Sequence, residues 1–169
     1  IVPWVVYQIY GDKGILEENW KCMHEWVDYI KNNCGENGLW QSGFQYGDWL
    51  ALDKEESADR TGATDKYMLA NAYYLYVTEL VKKTAEVLGK DEEAKKYAEL
   101  YETTLDAFRR EYYTETGRIV SETQTGAIIS LYFNLAREKD RKRILNTLLT
   151  NIANHKNHLA TGFVGTPYI

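Results

Sequence analysis

Two cysteines, two prolines and the lack of any long apolar run remove several classes of protein at once. Cys22 and Cys34 flank most of what reads as one helix, where their separation corresponds to roughly 18 Å. That is too far for a disulfide, so both are expected as free thiols, which suits a reducing compartment. No segment approaches the roughly 20 apolar residues that span a bilayer, and no membrane partner is expected. The opening IVPWVVYQIY has neither the charged leader nor the cleavage site of a signal peptide. A soluble, cytoplasmic chain is the expectation, with an exported parent left open. Positive charge is scattered: 20 Lys and Arg stand against 25 Asp and Glu, for a net charge of −5. With no basic stripe to neutralise a run of phosphates, nucleic acid is not expected as a partner. A Gly-rich phosphate loop, Cys-x-x-Cys and Gly-x-Ser-x-Gly are missing as well, and no cofactor is expected. His155 and His158 could share one helical face. Without a carboxylate or cysteine pattern beside them, they and His24 read as surface histidines, and no metal site is expected.

What the chain does contain is apolar content of 44%, enough for a core, together with 14 Tyr and 5 Trp in 169 residues. Most of those rings are expected to fill helix interfaces. From Gly14 to Cys34, Ile15, Leu16, Trp20, Met23, Val27 and Ile30 recur at spacings of three and four, with Asp12 placed to cap the start. A second helix is expected from about Asp65 to Leu88; it is apolar on nearly all sides, so more than one face should be buried, and Gly89 ends it. Asp91 opens a third, with an acidic first turn and a stripe of Ala94, Tyr97, Ala98, Tyr101, Leu105 and Phe108. Ser121 and Gln124 have capping-box spacing for a fourth, and 140–155 carries Ile144, Leu145, Leu148, Leu149 and Ile152 on one side of a fifth. GRIVSE is at most a short extended piece. The fold class is therefore all-α, with one long irregular loop at about 35–64 and another at 154–166. Irregular loops of this length in a compact domain are usually functional.

Loop 35–64 holds FQYGDWLALDK. It offers Trp40, Phe44, Tyr46 and Trp49, with Asp48 beside the last and Asp53, Glu55, Glu56 and Asp59 following. Sugar sites need flat apolar faces for pyranose C–H surfaces and short polar groups for hydroxyls. The plainer alternative makes Trp49 an anchor packed on helix ends and Asp48 a local cap, and the residues by themselves leave both open. In TGFVGTP (161–167), two glycines frame Phe163 and Val164, as in a tight, closely approached loop.

Taken in order, VPWVVYQIYGDKGILEENWKCMHEWVDYI, YGDWLALD, TQTGAIISLYF and LATGFVGTPYI resemble the helical catalytic domain of bacterial α-L-rhamnosidases. These are inverting glycoside hydrolases on an (α/α) toroid of six helical hairpins, and the resemblance covers essentially all 169 residues. It implies a single fragment, 1–169, forming a partial toroid of roughly three of the six hairpins. In that family the general acid is a Glu in the pattern Arg-x-Glu-Arg-x-Gly-Trp-x-Gly-Asp, and the base is a Glu in a later segment ending Trp-Glu. Neither pattern occurs here, so no catalytic residue is assigned and the fragment is expected to be inactive alone. The resemblance does assign substrate-binding positions: Trp49 as a wall of the rhamnose pocket, Asp48 beside it as a shaper of the loop, and Gln124 and Phe163 on the active-site side. The implied partner is a rhamnose-containing carbohydrate.

Half a toroid should leave inner faces without partners, notably that of helix 65–88, and association into a homo-oligomer is expected. Two other readings compete. AKKYAELYETTLDAF is similar to a tetratricopeptide-type helix, which suggests a helical-repeat interaction module, although no period near 34 residues repeats. A different sugar-active toroid, of trehalase or glycoside phosphorylase type, would keep the architecture and change the substrate.

Overall fold

The structure, a computed structural model, describes residues 1–54 and 60–169. Among these residues six α-helices follow one another: α1 Val2–Tyr10, α2 Gly14–Asn32, α3 Lys66–Val87, α4 Asp91–Tyr112, α5 Gln124–Tyr132 and α6 Arg141–Asn154. Among the described residues, the pairing of extended chain is limited to an isolated antiparallel bridge between Tyr113 and Ile119, at the GRIVSE segment. No helix among them is long and apolar enough to cross a membrane.

The helix ends follow from short-range chemistry. Pro3 sits in the first turn of α1, where its missing N–H costs nothing, and Gly11 closes the helix at φ 70° with its N–H on the Tyr7 carbonyl. Asp12 Oδ1 accepts from the Gly14 N–H at 2.8 Å to open α2. Asp65 Oδ1 accepts from the Met68 N–H at 2.7 Å to cap α3. Gly89, at φ 66°, lets the Lys90 N–H turn back to the Ala85 carbonyl and stop it. In α4 the acidic first turn, Asp91 to Glu93, and the basic last turn, Arg109 and Arg110, both complement the helix dipole. The cap of α5 is Thr123, whose Oγ1 accepts from the Gly126 N–H, and not Ser121 as the capping-box spacing suggested. Ser121 is engaged elsewhere: its Oγ accepts from the Asp65 N–H at 2.8 Å.

Two compact units divide the chain. The first comprises Ile1–Trp40 and Tyr73–Ala107. Its core joins Met23, Val27 and Ile30 of α2 to Tyr74 and Val81 of α3 and Tyr97 of α4, with Trp20, Cys34, Trp40, Val77 and Leu100 packed around them. The apolar stripe read along α2 is the face that is buried. The second unit comprises Gln41–Ala72 and Phe108–Ile169. Here α5 and α6 pack on each other, and Phe108, Ile129, Leu135 and Ile144 are almost fully buried.

The expectation of an open apolar face on helix 65–88 is not met. In α3 the exposed residues are Lys66 and Glu86, both charged, because a helix apolar on all sides is surrounded on all sides. In the first unit, exposed apolar side chains lie instead on α1, where Val2, Val5, Ile9 and Tyr10 face solvent, and on α2 at Trp26 and Tyr29.

Candidate functional site

The second unit holds the first long loop from Gln41 onward and the whole of 154–166. Asp48 is completely buried, and four donors converge on its carboxylate. Thr125 Oγ1, in the first turn of α5, donates to Oδ2 at 2.5 Å, and the Gly162 N–H to the same oxygen at 2.8 Å. The N–H groups of Val164 and Gly165 reach Oδ1 at 3.1 and 3.3 Å. The segment 162–165 thus wraps its backbone donors around one anion, a nest built around an internal side chain rather than a bound ligand. The loop is also tied to itself, for Thr166 Oγ1 donates to the Gly162 carbonyl at 2.8 Å. Its glycines are required by the closeness of approach. A Cβ on Gly162 would lie 2.4 Å from the Trp49 carbonyl oxygen, and one on Gly165 would lie 2.4 Å from Thr125 Oγ1.

Backbone bonds complete the joint. The Phe163 N–H donates to the Trp49 carbonyl at 2.7 Å, Leu52 N–H to Ala160 at 3.1 Å, and Leu50 N–H to Arg60 at 2.8 Å. The Ala51 N–H closes a turn on the Asp48 carbonyl, with Leu50 at φ 63°, a conformation glycine or asparagine would adopt more easily. A bulky residue held there indicates that its surroundings impose the turn. Gln124, 1% exposed, holds the neighbouring stretch: its Nε2 donates to the His158 carbonyl at 3.1 Å and its Oε1 accepts from the Ala160 N–H at 3.0 Å.

The aromatic residues occupy the outside of this framework. Trp49 is 39% exposed, Tyr46 68%, and Phe44 and Phe163 76% each. Phe44 stands edge-on to Tyr46 with ring centres 4.9 Å apart, and Tyr46 stands edge-on to Trp49 at 6.4 Å. Apolar rings left open to water beside a rigid backbone can stack on the C–H face of a ligand.

The four residues singled out from the sequence therefore come together, and they divide into two kinds. Trp49 and Phe163 present rings to solvent, whereas Asp48 and Gln124 direct their polar atoms into the protein and act on a ligand only through the loops they hold. Asp48 is not the local cap considered as the alternative, because its side chain reaches residues 77 to 117 positions away. Of the trailing acids, Asp53 Oδ1 accepts from the Ala63 N–H, while Glu55, Glu56 and Asp59 lie outside the described residues. Thr125 is a site residue that sequence reasoning misses, although it sits beside Gln124 in TQTG. Among the described residues no group of three or more His, Cys, Asp or Glu could hold a metal ion.

Helices joined by short turns, with an aromatic edge carried on long pinned loops, define an all-α hairpin domain. Comparison makes this specific, and the chain belongs to the bacterial alpha-L-rhamnosidase 6 hairpin glycosidase domain family, whose model matches residues 1–169. It is 35% identical over 171 residues to an alpha-L-rhamnosidase of Formosa agariphila, covering 100% of this chain and 18% of that protein. With an alpha-L-rhamnosidase of Streptomyces avermitilis it shares 33% identity over 98% of this chain and 15% of the relative. The crystal structure of the native Aspergillus terreus enzyme superposes with a TM-score of 0.90 at 35% identity, covering 99% of this chain and 20% of that one. The Streptomyces avermitilis enzyme complexed with L-rhamnose gives 0.87 at 32%, covering 99% and 15%. The chain thus spans a fifth or less of the length of these relatives. Membership in this family decides against the helical-repeat module and the trehalase-type toroid.

Proposed function

We propose that this chain contributes the sugar-holding part of an α-L-rhamnosidase catalytic domain that removes terminal α-L-rhamnosyl residues with inversion. The observation that carries the proposal is the placement of Trp49. It is partly exposed at the joint of two loops whose backbones are locked together, in a chain whose family includes an enzyme crystallised with L-rhamnose. Inversion needs an acid that protonates the leaving oxygen and a base that activates water on the opposite face, with the carboxyls roughly 6.5–9.5 Å apart. Asp48 suits neither role, since it is sealed from solvent and already accepts four hydrogen bonds. Since the family's acid and base patterns do not occur in this sequence, the proposal places both groups outside residues 1–169. What falls to this chain is positioning, in which Trp49 and Phe163 exclude water from one face of the sugar and set its orientation before the bond breaks.

The test is Trp49→Ala in the protein that carries this chain. We expect kcat/KM on an aryl α-L-rhamnoside to fall about 10- to 100-fold, the scale of one lost stacking face, while the thermal midpoint stays within a few degrees. A variant with parental kcat/KM would sink the assignment.

The proposal extends to self-association of the isolated chain. Val2, Val5, Ile9 and Tyr10 of α1, with Trp26 and Tyr29 of α2, leave apolar surface uncovered in the first unit. Sedimentation that finds a lone monomer at micromolar concentration would overturn this part.

A further inference from the structure

We infer that Asp48 and Thr125 form a positioning clasp for the Trp49 and Phe163 rings, and that the sugar affinity of the site is set through this buried pair although neither side chain reaches the sugar. The inference rests on the pocket-wall reading of Trp49 and adds to it a mechanism by which the wall is held.

Removing the Asp48 carboxylate from water is costly unless its oxygens are filled with good donors, and here each oxygen receives two: Thr125 and Gly162 on Oδ2, Val164 and Gly165 on Oδ1. Those donors come from two separate elements, the start of α5 and the loop 162–165. Both must be in place for the carboxylate to be satisfied, so the loop cannot drift without leaving a charge unpaired. Trp49 follows Asp48 directly in the chain, and its carbonyl receives the N–H of Phe163, the residue after Gly162. Each ring is therefore one residue from an atom of the clasp. The turn at Ala51, the left-handed Leu50 and the contact of Gly162 on the Trp49 carbonyl remove the remaining backbone freedom. Exposed rings on flexible loops would lose conformational entropy on binding, and rings on a clasped backbone have lost most of it beforehand. A platform that meets the sugar in both ground and transition state affects KM more than kcat.

Thr125 gives the sharper test, because replacing it removes one donor of four and leaves the nest of backbone N–H groups in place. In the protein that carries this chain, Thr125→Val should raise KM for an aryl α-L-rhamnoside, and the inhibition constant of L-rhamnose, about tenfold with kcat within about threefold. Thr125→Ser, which restores the hydroxyl, should return both near the parent. Asp48→Asn, which turns an amide N–H2 toward backbone donors, should do more harm than Thr125→Val. In a Trp49→Ala/Phe163→Ala background, Thr125→Val should add no further rise in KM, since both rings it positions are gone. The outcomes separate. If Trp49→Ala keeps parental kcat/KM, the pocket-wall reading fails and the clasp inference falls with it. If Trp49→Ala is impaired while folded Thr125→Val has parental KM, or if Thr125→Val lowers kcat at unchanged KM, or if its effect multiplies onto Trp49→Ala/Phe163→Ala, the clasp inference alone is overturned.

Discussion

Buried polar groups in the two units include some that are satisfied in opposite ways. In the first, Thr78 and Thr84 are buried, and each donates its hydroxyl to a carbonyl four residues back in its own helix, Tyr74 and Leu80, at 2.8 Å. Nothing beyond one helical turn is needed to satisfy them. In the second, the buried Asp48, Gln124, Thr125 and Ser121 find partners 34 to 117 positions away. One unit joins its helices through apolar side chains, and the other adds to an apolar core of its own a set of polar atoms that fasten loops. The difference follows from what each unit has to hold. Helix faces can be held by packing alone, whereas a loop that must carry exposed rings has few apolar side chains to spare for its own burial and is held by hydrogen bonds instead.

The largest stability effect is therefore expected in the helical unit, without a specific effect on binding. Ile30, 3% exposed in the core of α2, α3 and α4, should cost about 2–5 kcal/mol as Ile30→Ala. Chemical denaturation would measure that loss, and KM of the molecules that remain folded should not move. Gly162→Ala inverts the pattern. It adds a single methyl group, but that methyl would meet the Trp49 carbonyl at 2.4 Å and the Ala51 nitrogen at 2.6 Å, both backbone atoms that cannot swing aside. A stability cost of about 1–3 kcal/mol is expected, with a rise in KM out of proportion to it. If Ile30→Ala shifted KM and Gly162→Ala did not, the division of labour between the units would be wrong.

Much of this architecture can be read from residue order, for reasons that differ between the units. Helices α2, α3, α4, α5 and α6 announce themselves because their apolar positions repeat at the helical period or fill it completely, and packing then obeys the period. Helix α1 escapes such a reading: VPWVVYQIY is apolar without a polar face to mark its repeat, and its only cue is Pro3 followed by Gly11 at a helix's length. The glycines of TGFVGT correctly signal a closely approached loop, yet nothing local says that the approaching group is the carboxylate of Asp48. Capping-box spacing points to the wrong hydroxyl at α5 for the same reason, since Ser121 serves an amide 56 residues away. Residues satisfied within a turn are legible, and those satisfied across the chain are not.

The smallest expected effect sharpens the comparison most, because it sets two aspartates of opposite circumstance side by side. Asp28, in the helical unit, accepts from Lys96 Nζ at 3.0 Å and from the Tyr97 hydroxyl at 3.1 Å, with His24 nearby at 3.6 Å, and its side chain keeps about a third of its surface. Burial raises the carboxyl, but the hydrogen bonds from Lys96, Tyr97 and His24 together with the charge of Lys96 outweigh it and hold Asp28 below its ordinary range. A carboxylate depressed in the folded state stabilises above its unfolded value near pH 4, and that contribution is lost as pH falls through the lower folded value. Because water still screens the group, Asp28→Asn should cost no more than about 1 kcal/mol at neutral pH and progressively less as pH falls below the unfolded value, with KM unchanged. Denaturation midpoints of parent and variant, followed from pH 7 downward, should converge. An Asp28→Asn variant as damaging as Asp48→Asn would mean that half-exposed and buried carboxylates do equivalent work here, and the contrast between the two units would lose its physical basis.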